Sequence, residues 1–447
     1  MGSGESDRLS TRHPSLITPR MPFEIVRDPL WNNIRLDSLT LELVDSPVFQ
    51  RLRYVRQLGL AYLVYPGATH SRFEHALGTH HLARGTLALL DERGELRGLP
   101  ADESAVVRAA ALLHDVGHYP FSHALEEIGA LHHEEVARPL VTAGPVADAL
   151  TTALGPSAPE RVLALIRGAS ASPLQGLISG SLDLDKIEYL KRDAFMCGVP
   201  YGEIDVDRLI NSLVVVTEPG GGRPTIGVFE KGLSALESLL FAKYQMYRNV
   251  YWHHAVRSAT AMYKRLVDEA LAVGALDART LAAYTDEGLL HRLDAAAPSP
   301  LLDRLRHRRL YKRALECPAA EFDDQAAEWL AGDRSLAVAA EDQVARELGL
   351  GAGELFLDYP AKTQMLGLDI AVVRRGGAVE RLTDEGLAGA INLPALSQQL
   401  YRSARWLRVF VARSVPVPRT RVLDLLHHSA AEVQAMLDAG EPLLGRG

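Results

Sequence analysis

The feature that most constrains the fold is a helical spacing of apolar residues that runs through most of residues 28–272. Apolar side chains recur there at steps of three and four residues, as in Phe49, Leu52 and Val55. This period places them on one face of an α-helix, so the segment is predicted to form a helical body. Hydrophobic residues make up 47% of the 447 residues and charged residues 23%, which supports a large buried core and excludes a disordered or fibrous chain. We predict a mainly α fold.

Short β-rich runs interrupt the helical pattern. Runs 213–217 and 225–230 flank a proline and three glycines, which predicts a small β-hairpin. After a segment rich in helix breakers at 295–300, the pattern becomes mixed, with strand character at 366–374 and 406–412. We therefore predict a flexible N-terminal segment at 1–21, a helical core at 22–295, and a mixed α+β C-terminal lobe at 296–447 that is structural and mediates oligomerisation.

Charge and cysteine content narrow the class of protein. The formal net charge is -8, so nucleic acid is a possible partner that the net charge does not support. Cys197 and Cys317 are the two cysteines in the sequence, too few for a disulfide framework. The sequence has no uninterrupted apolar run of about 18 residues, so it predicts no contact with a membrane. We expect a cytoplasmic protein.

Two imidazoles and two carboxylates form the chemically informative group. His75 lies on a helix that is predicted to start after Ser71, in a capping box, and the adjacent His114 and Asp115 end a second helix. The fourth member is an aspartate within 183–186. Such a mixed nitrogen and oxygen set suits a divalent metal ion with open coordination positions. The residues do not distinguish iron, manganese, zinc, nickel, cobalt or magnesium, although magnesium alone suits two histidines least.

Helical spacing selects the second aspartate of that segment. Asp185, Tyr189 and Asp193 are four residues apart and share one helix face. Asp185 is therefore the predicted ligand, and Asp183 is the predicted N-cap of the helix. Arg72 lies one turn before the histidine of the first helix, so a phosphate oxygen could bind beside the metal.

Five stretches resemble the HD-domain phosphohydrolase superfamily. They read QRLRY, QLG, HSRFEH, LHDVGHYPFSH and DLDKIEY, at 50–54, 57–59, 70–75, 113–123 and 183–189. Within it, they resemble most the deoxynucleoside triphosphate triphosphohydrolase, or dGTPase-like, branch, including the catalytic core of the vertebrate member in which a SAM domain precedes the HD domain. This resemblance implies an HD fold and hydrolysis of a dNTP to deoxynucleoside and inorganic tripolyphosphate. It also implies that a divalent metal is held by His75, His114, Asp115 and Asp185.

The resemblance implies a set of catalytic residues. His133 and Glu134 match the catalytic His-Glu pair of the family, and Glu126 falls where an acidic residue orients the histidine. The oriented imidazole would donate a proton to the leaving 5′ oxygen. His123 is assigned to both the catalytic and the phosphate-binding group. The neighbouring His132 leaves the alignment open by one residue.

The same resemblance implies ten substrate-binding side chains. Lys243 stands where the animal member has arginine, so a bidentate contact would become a point charge. The ten are Arg72, His118, His123, Lys186 and Lys243 for the phosphates, Gln57, Leu58, Tyr189 and Asp193 for the sugar, and Tyr251 near the base.

Two other functions fit the same residues. One is an HD-domain phosphohydrolase that acts on another phosphoester, such as a nucleoside monophosphate or a signalling nucleotide. The other is a sensor of nucleotides or nucleic acid that binds without turnover. The expected partners are a dNTP substrate and further copies of the chain, as a dimer or a tetramer.

Overall fold

The computed structural model describes residues 23–217, 221–296, 299–321, 323, 326–360, 369–383, 386–387 and 391–445. The predicted flexible segment 1–21 lies outside these residues. Helices dominate the described chain and the sheets are small, so the predicted mainly α fold is confirmed.

The helices fall into two groups along the chain. Within the part of the chain that the structure describes, no helix is long and apolar enough to cross a lipid bilayer. The first group contains α1 (Ser38–Val44), α2 (Pro47–Gln50), α3 (Arg72–Glu92), α4 (Glu103–Leu113), α5 (His133–Thr142), α6 (Gly144–Leu154), α7 (Ala158–Ile166), α8 (Leu184–Cys197), α9 (Val206–Ser212), α10 (Leu233–Met246), α11 (His254–Ala272), α12 (Asp286–Ala296) and α13 (Pro300–Arg306). The second group contains α14 (Trp329–Gly332), α15 (Arg334–Glu347), α16 (Leu393–Ala404), α17 (Arg419–His427) and α18 (Ala430–Ala439).

The strands form three small sheets. Strands β1 (Glu24–Asp28) and β2 (Asn32–Leu36) make an antiparallel hairpin. The second sheet has the order β3-β4-β7-β8 and the third has the order β5-β9-β6. Their strands are β3 (Leu213–Val216), β4 (Thr225–Phe229), β5 (Lys312–Pro318), β6 (Leu355–Asp358), β7 (Ile370–Val373), β8 (Val379–Leu382) and β9 (Trp406–Val411).

The predicted β-hairpin is present as β3 and β4, but it is part of a larger sheet. Strand β4 also pairs in parallel with β7, with Gly227 opposite Ala371. A Cβ atom at Gly227 would lie 2.6 Å from the carbonyl oxygen of Ala371, so glycine allows this close approach. The sheet thus uses strands from both sides of the predicted boundary between 295 and 296, and that boundary stays a prediction.

Helix α11 links the helical core to the C-terminal sheet. Its buried Tyr263 packs with Phe356 of β6 and Phe410 of β9 in one apolar cluster. The same tyrosine ring lies 4.8 Å from the ring of Phe121, measured between centroids. Burial of these aromatic side chains stabilises the contact between the C-terminal sheet and the segment around Phe121.

The predicted capping box begins α3. The Ser71 hydroxyl accepts a hydrogen bond from the Phe73 N–H, and Glu74 accepts one from the Ser71 N–H at 2.8 Å. Ser71→Ala removes the first contact, so we expect the free energy of unfolding to fall by about 1 kcal/mol. The shift of the urea unfolding midpoint measures this loss.

The matched control is Ser429→Ala. Ser429 is the N-cap residue of a second capping box, at the start of α18. Helix α18 is largely exposed and can fray without disturbing the core. We therefore expect Ser429→Ala to lower the free energy of unfolding by less than Ser71→Ala does. Equal midpoints for both variants and the unchanged protein would contradict the predicted role of Ser71.

Candidate active site

Four side chains from three parts of the helical core converge on one point. His75 Nε2 on α3 lies 2.9 Å from Asp185 Oδ1 on α8 and 3.2 Å from His114 Nε2 after α4. The carboxylate of Asp115 lies 3.5 Å from His75 Nε2 and 3.4 Å from His114 Nε2. The structure thus brings together the four residues that the sequence predicted as metal ligands.

Hydrogen bonds fix the tautomers of the two imidazoles. His75 Nδ1 lies 2.6 Å from Glu188 Oε2, and His114 Nδ1 lies 2.9 Å from the carbonyl oxygen of Ala111. Since each acceptor requires a donor at Nδ1, the two Nε2 atoms face each other beside two carboxylates, and a neutral ring would direct its Nε2 lone pair into this space. Burial opposes a charge on His75, but hydrogen bonds to Asp185 and Glu188 raise its pKa to about 10. The group therefore requires a cation, and its donor set could hold a divalent metal ion.

The N-terminal hairpin supports the His75 side chain indirectly, through Glu188. Buried Glu188 accepts hydrogen bonds from Trp31 Nε1 at 2.9 Å and from Arg192 Nε at 2.7 Å. Arg192 also donates to Asp28 at 3.0 Å. A Cβ atom at Gly78 would lie 2.0 Å from Glu188 Oε1, so glycine is needed on α3 to admit this carboxylate. The hairpin loop between β1 and β2 thus helps to fix the His75 ring.

His75, His114, Asp115 and Asp185 are termed the four-ligand group. Arg72 lies between this group and a cluster of histidines. Its Nη1 donates to Asp115 Oδ2, and its Nε donates to Ser122 Oγ at 3.3 Å. Its Nη2 lies 3.5 Å from His123 Nε2. Burial raises the pKa of Asp115, but Arg72 and the two ligand histidines hold it well below its usual value. Arg72 is placed to contact an anion between the two groups.

The second group consists of His118, His123 and His133, held around Glu126. Glu126 accepts from His133 Nδ1 at 2.8 Å and from His123 Nδ1 at 2.9 Å, one on each carboxylate oxygen. The ring centroids of His118 and His133 are 3.7 Å apart. Burial lowers the pKa of His133 to about 4, and Glu126 only partly offsets this effect. His133 is therefore a neutral, oriented imidazole in the free protein.

His118 differs from the other two rings in its hydrogen bonding, although its Nδ1 lies 3.4 Å from Asp115 Oδ1. It is buried, and neither of its ring nitrogens makes a hydrogen bond to any described residue. Burial and the nearby Arg72 and His133 hold its pKa well below the usual value. Such a ring can donate to or accept from a ligand oxygen.

His132 and His133 differ in burial and in their contacts. The His132 side chain is 55% exposed, whereas His133 is buried and bound to Glu126. Glu134 lies 3.8 Å from His132 Nδ1, and no hydrogen bond joins it to His133 among the described residues. A Cβ atom at Gly117 would lie 2.0 Å from the His133 carbonyl oxygen. Glycine at this position therefore allows the start of α5 to pack closely against the segment that follows α4.

The two predicted lysines differ in their contacts. Lys186 Nζ binds Asp183 Oδ2 and donates to the Gly180 carbonyl at 2.9 Å, so it is engaged at the start of α8. Asp183 is the N-cap of that helix, as predicted. Lys243 is buried, and within the described chain it pairs with no carboxylate; its Nζ lies 5.7 Å from the centroid of the Tyr247 ring. Burial, followed by the charge of Lys186, lowers the pKa of Lys243 to about 7.

The predicted sugar and base contacts lie further along α8, beyond Asp185. Asp193 binds His70 Nε2 at 2.8 Å through one oxygen and accepts from Tyr251 Oη at 2.7 Å through the other. The Tyr189 ring lies 6.5 Å from the rings of both His75 and Tyr251, between centroids. Gln57 is buried, and its Oε1 has no hydrogen-bond partner among the described residues.

Leu58 lies at the edge of this region. It packs against a small apolar cluster that contains Ala61, Ala68 and Val256, beside Cys197. The position is compatible with an apolar surface beneath a sugar.

Sequence reasoning missed three residues that shape the site. Glu188 lies three residues after Asp185, one helical turn away, and that spacing could have indicated it. Arg51 donates to the carbonyl oxygens of Val116 and His118 at 3.2 and 2.6 Å, and so holds the segment that follows α4. Its positive charge alone does not predict this role. His70 belongs to a recognised stretch, but its contact with Asp193 depends on the tertiary fold.

Comparisons with known proteins identify the kind of domain that contains these residues. A family model described as the HD domain matches residues 72–174, and one described as the HD associated region matches residues 204–387. An uncharacterized protein of Methanocaldococcus jannaschii is 37% identical over 293 residues, which is 65% of this chain and 59% of that protein. The deoxynucleoside triphosphate triphosphohydrolase SAMHD1 of Danio rerio is 44% identical over 102 residues, 23% of this chain and 16% of that protein. The chain thus spans little more than half of the first of these relatives and a small part of the second.

Solved structures share the fold over most of the chain. A hypothetical protein from Aquifex aeolicus is 28% identical, with a TM-score of 0.67, covering 88% of this chain and 97% of that chain. A phosphohydrolase from Bacteroides thetaiotaomicron is 23% identical, with a TM-score of 0.68, covering 88% of this chain and all of that one. The second likeness shows the fold alone.

Glu188→Gln tests the role of the carboxylate behind His75. The amide binds the imidazole Nδ1–H more weakly, so we expect the affinity for a divalent metal to fall by about 10- to 100-fold. Elemental analysis of the protein after equilibration with a graded chelator measures the change.

Glu341→Gln is the matched control, because Glu341 on α15 is also buried but does not contact the four-ligand group. Equal metal retention in both variants would show that Glu188 does not support the ligand.

Proposed function

We propose that this chain, whose residues 72–174 match the HD domain, is a phosphohydrolase that hydrolyses deoxynucleoside triphosphates to deoxynucleoside and inorganic tripolyphosphate. One observation supports this most: a four-ligand group, an arginine and a carboxylate-bound histidine meet in one place. Arg72 contacts both Asp115 and the histidine cluster, so a phosphate there would touch a cation site and a proton donor. This combination suits the hydrolysis of a phosphoester.

His75, His114, Asp115 and Asp185 would hold the divalent ion. When bound, such an ion polarises a phosphoryl oxygen and lowers the pKa of water from about 15.7 towards about 7. The protein supplies the orientation, since Glu188 and the Ala111 carbonyl fix the two imidazoles.

His133 would donate the proton to the leaving 5′ oxygen. Glu126 holds Nδ1, which leaves Nε2 to face the substrate. The ring is neutral in the free protein because burial lowers its pKa to about 4. The negative charge of a bound triphosphate favours the imidazolium form, so His133 would take up its proton when the substrate binds. His123, on the other oxygen of Glu126, would contact the phosphates.

Cationic side chains would hold the phosphates. A triphosphate carries about four negative charges, and each contact at 4 Å gives about 4 kcal/mol before desolvation at an effective dielectric constant near 20. Arg72 and Lys243 are buried cations beside the site, and Lys243 pairs with no described carboxylate. Lys186 would shift from Asp183 towards the substrate, and His118 offers two ring nitrogens without hydrogen bonds.

The sugar and base would lie between α8 and the turn after α10. Asp193 is fixed by His70 and Tyr251, so its remaining lone pairs have a defined direction for a 3′-hydroxyl. Tyr189 would close the same side, Gln57 and Leu58 would lie beneath the ribose, and Tyr251 would lie near the base. We propose further that the protein acts as a cytoplasmic homo-oligomer with its C-terminal lobe in the subunit contact.

Product analysis tests the reaction. Each dNTP is incubated with the protein and with manganese, iron or magnesium, and mass spectrometry identifies the products. We expect deoxynucleoside and tripolyphosphate from the unchanged protein, and no turnover from Asp185→Ala, because one of the four ligands is lost.

Asp207 on α9 is exposed, so Asp207→Ala is the control and should react at the normal rate. Orthophosphate or pyrophosphate as the product would favour an HD hydrolase acting on another phosphoester. Binding of nucleotide or single-stranded nucleic acid without turnover, unaffected by Asp185→Ala, would favour a sensor.

The affinity for triphosphate should depend on pH through Lys243. Its pKa of about 7 in the free protein means that the ammonium is charged below pH 7 and neutral above it. We therefore expect KM to rise as the pH increases from about 6 to about 9. Lys243→Arg keeps the positive charge over this range, so its KM profile should be flatter. Identical pH profiles for the two proteins would contradict a phosphate contact by Lys243.

A further inference from the structure

The segment that carries His123 and Glu126 has an unfavourable backbone. It is a 3-10 turn at Ser122–Ile128, entered through Phe121 at φ 58° and Ser122 at φ 64°. Side chains with a Cβ atom rarely adopt this left-handed region, so contacts from outside the segment must hold it.

Adjacent carboxylates on this segment are bound by different groups. Glu126 binds the two imidazoles, whereas Glu127 receives two parallel hydrogen bonds from the Arg257 guanidinium at 2.9 and 3.0 Å. Lys264 Nζ also donates to Glu127 at 2.9 Å. Because the two glutamates are neighbours in the chain, a shift of Glu127 moves Glu126 with it.

Arg257 connects this segment to the C-terminal sheet. Its Nε and Nη2 donate to Asp358 on β6 at 2.6 to 3.2 Å. Arg257 and Asp358 are both buried. The guanidinium fork is thus fixed by one carboxylate on each side, and such bidentate contacts define both distance and direction.

The beginning of the segment has its own anchors. Asp286 on α12 accepts from the Phe121 N–H at 2.8 Å, and Tyr263 Oη donates to the Pro120 carbonyl at 3.3 Å. Neither contact reaches the end of the segment where Glu126 lies. Glu127 is therefore the anchor closest to the oriented histidine pair.

We propose that Glu127, held by the Arg257 guanidinium that Asp358 also binds, is a positioning residue that aligns the Glu126–His133 pair for proton transfer. This inference rests on the proposed function for its effect on rate. The C-terminal sheet thereby sets the position of the acid, although no residue of that sheet touches the predicted catalytic group.

The test compares two carboxylate-to-amide changes in the full-length, metal-loaded protein. Glu127→Gln keeps the shape of the side chain and leaves Arg257 paired with Asp358. The matched control is Asp268→Asn, which weakens a similar ion pair: Asp268 lies on α11 and binds Arg334 Nε on α15 at 2.7 Å. The side chains of Glu127 and Asp268 are 25% and 19% exposed.

The readouts are kcat, KM, and the ring resonances of isotope-labelled histidine, assigned with His123→Gln and His133→Gln. For Glu127→Gln we expect kcat to fall between about tenfold and 100-fold with KM unchanged, and the His123 and His133 resonances to move. Asp268→Asn should leave kcat and both resonances unchanged. Unchanged kcat and ring resonances in Glu127→Gln, or equal changes in both variants, would overturn the proposal.

The two hypotheses can fail separately. If the unchanged protein hydrolyses no dNTP, the proposed function fails, and the ring resonances alone decide whether Glu127 positions the histidines. If Glu127→Gln does not fold, Arg257→Lys replaces it, because lysine keeps the charge but cannot bind two carboxylates through a fork. Its His123 and His133 resonances are expected to move, and unchanged resonances would overturn the proposal.

Discussion

The repulsion between two buried imidazole lone pairs and two carboxylates is the constraint on which the site depends. His75 and His114 present Nε2 atoms 3.2 Å apart, and each ring is fixed by a hydrogen bond at Nδ1. Without a cation, this arrangement places like partial charges together in a buried space. The surrounding elements therefore act as a rigid frame for a positive charge. That frame extends to the N-terminal hairpin through Glu188, Trp31 and Arg192.

Several charged side chains in this structure are each shared by two partners. Glu126 orients two imidazoles, and Arg257 joins two carboxylates from distant parts of the chain. Sharing reduces the number of buried charges, and it also couples the positions of the partners. The four-ligand group and the histidine cluster are coupled in the same way through Arg72, which contacts both.

Local patterns predicted much of the fold and of the site because their causes are local. The Ser71 capping box, the Asp183 N-cap and the mainly α class follow from residue spacing and hydrogen-bonding chemistry. The parallel pairing of β4 with β7 could not be predicted, since it joins residues that are far apart in sequence and depends on where the helices place both strands. The same limit applies to Arg51 and Arg257, whose partners lie in distant segments. The difference in burial between His132 and His133 could not be predicted either, because it arises only when the chain folds.

The β4–β7 pairing also orders the events by which the chain folds. Strand β4 is complete at Phe229, but its neighbour β7 begins only at Ile370. During synthesis, the free edge of the β3–β4 hairpin stays unprotected while more than a hundred further residues leave the ribosome. An uncovered strand edge is a template for pairing with other chains. The nascent chain thus exposes a strand edge to pairing with other chains during this interval, and docking of β7 covers that edge.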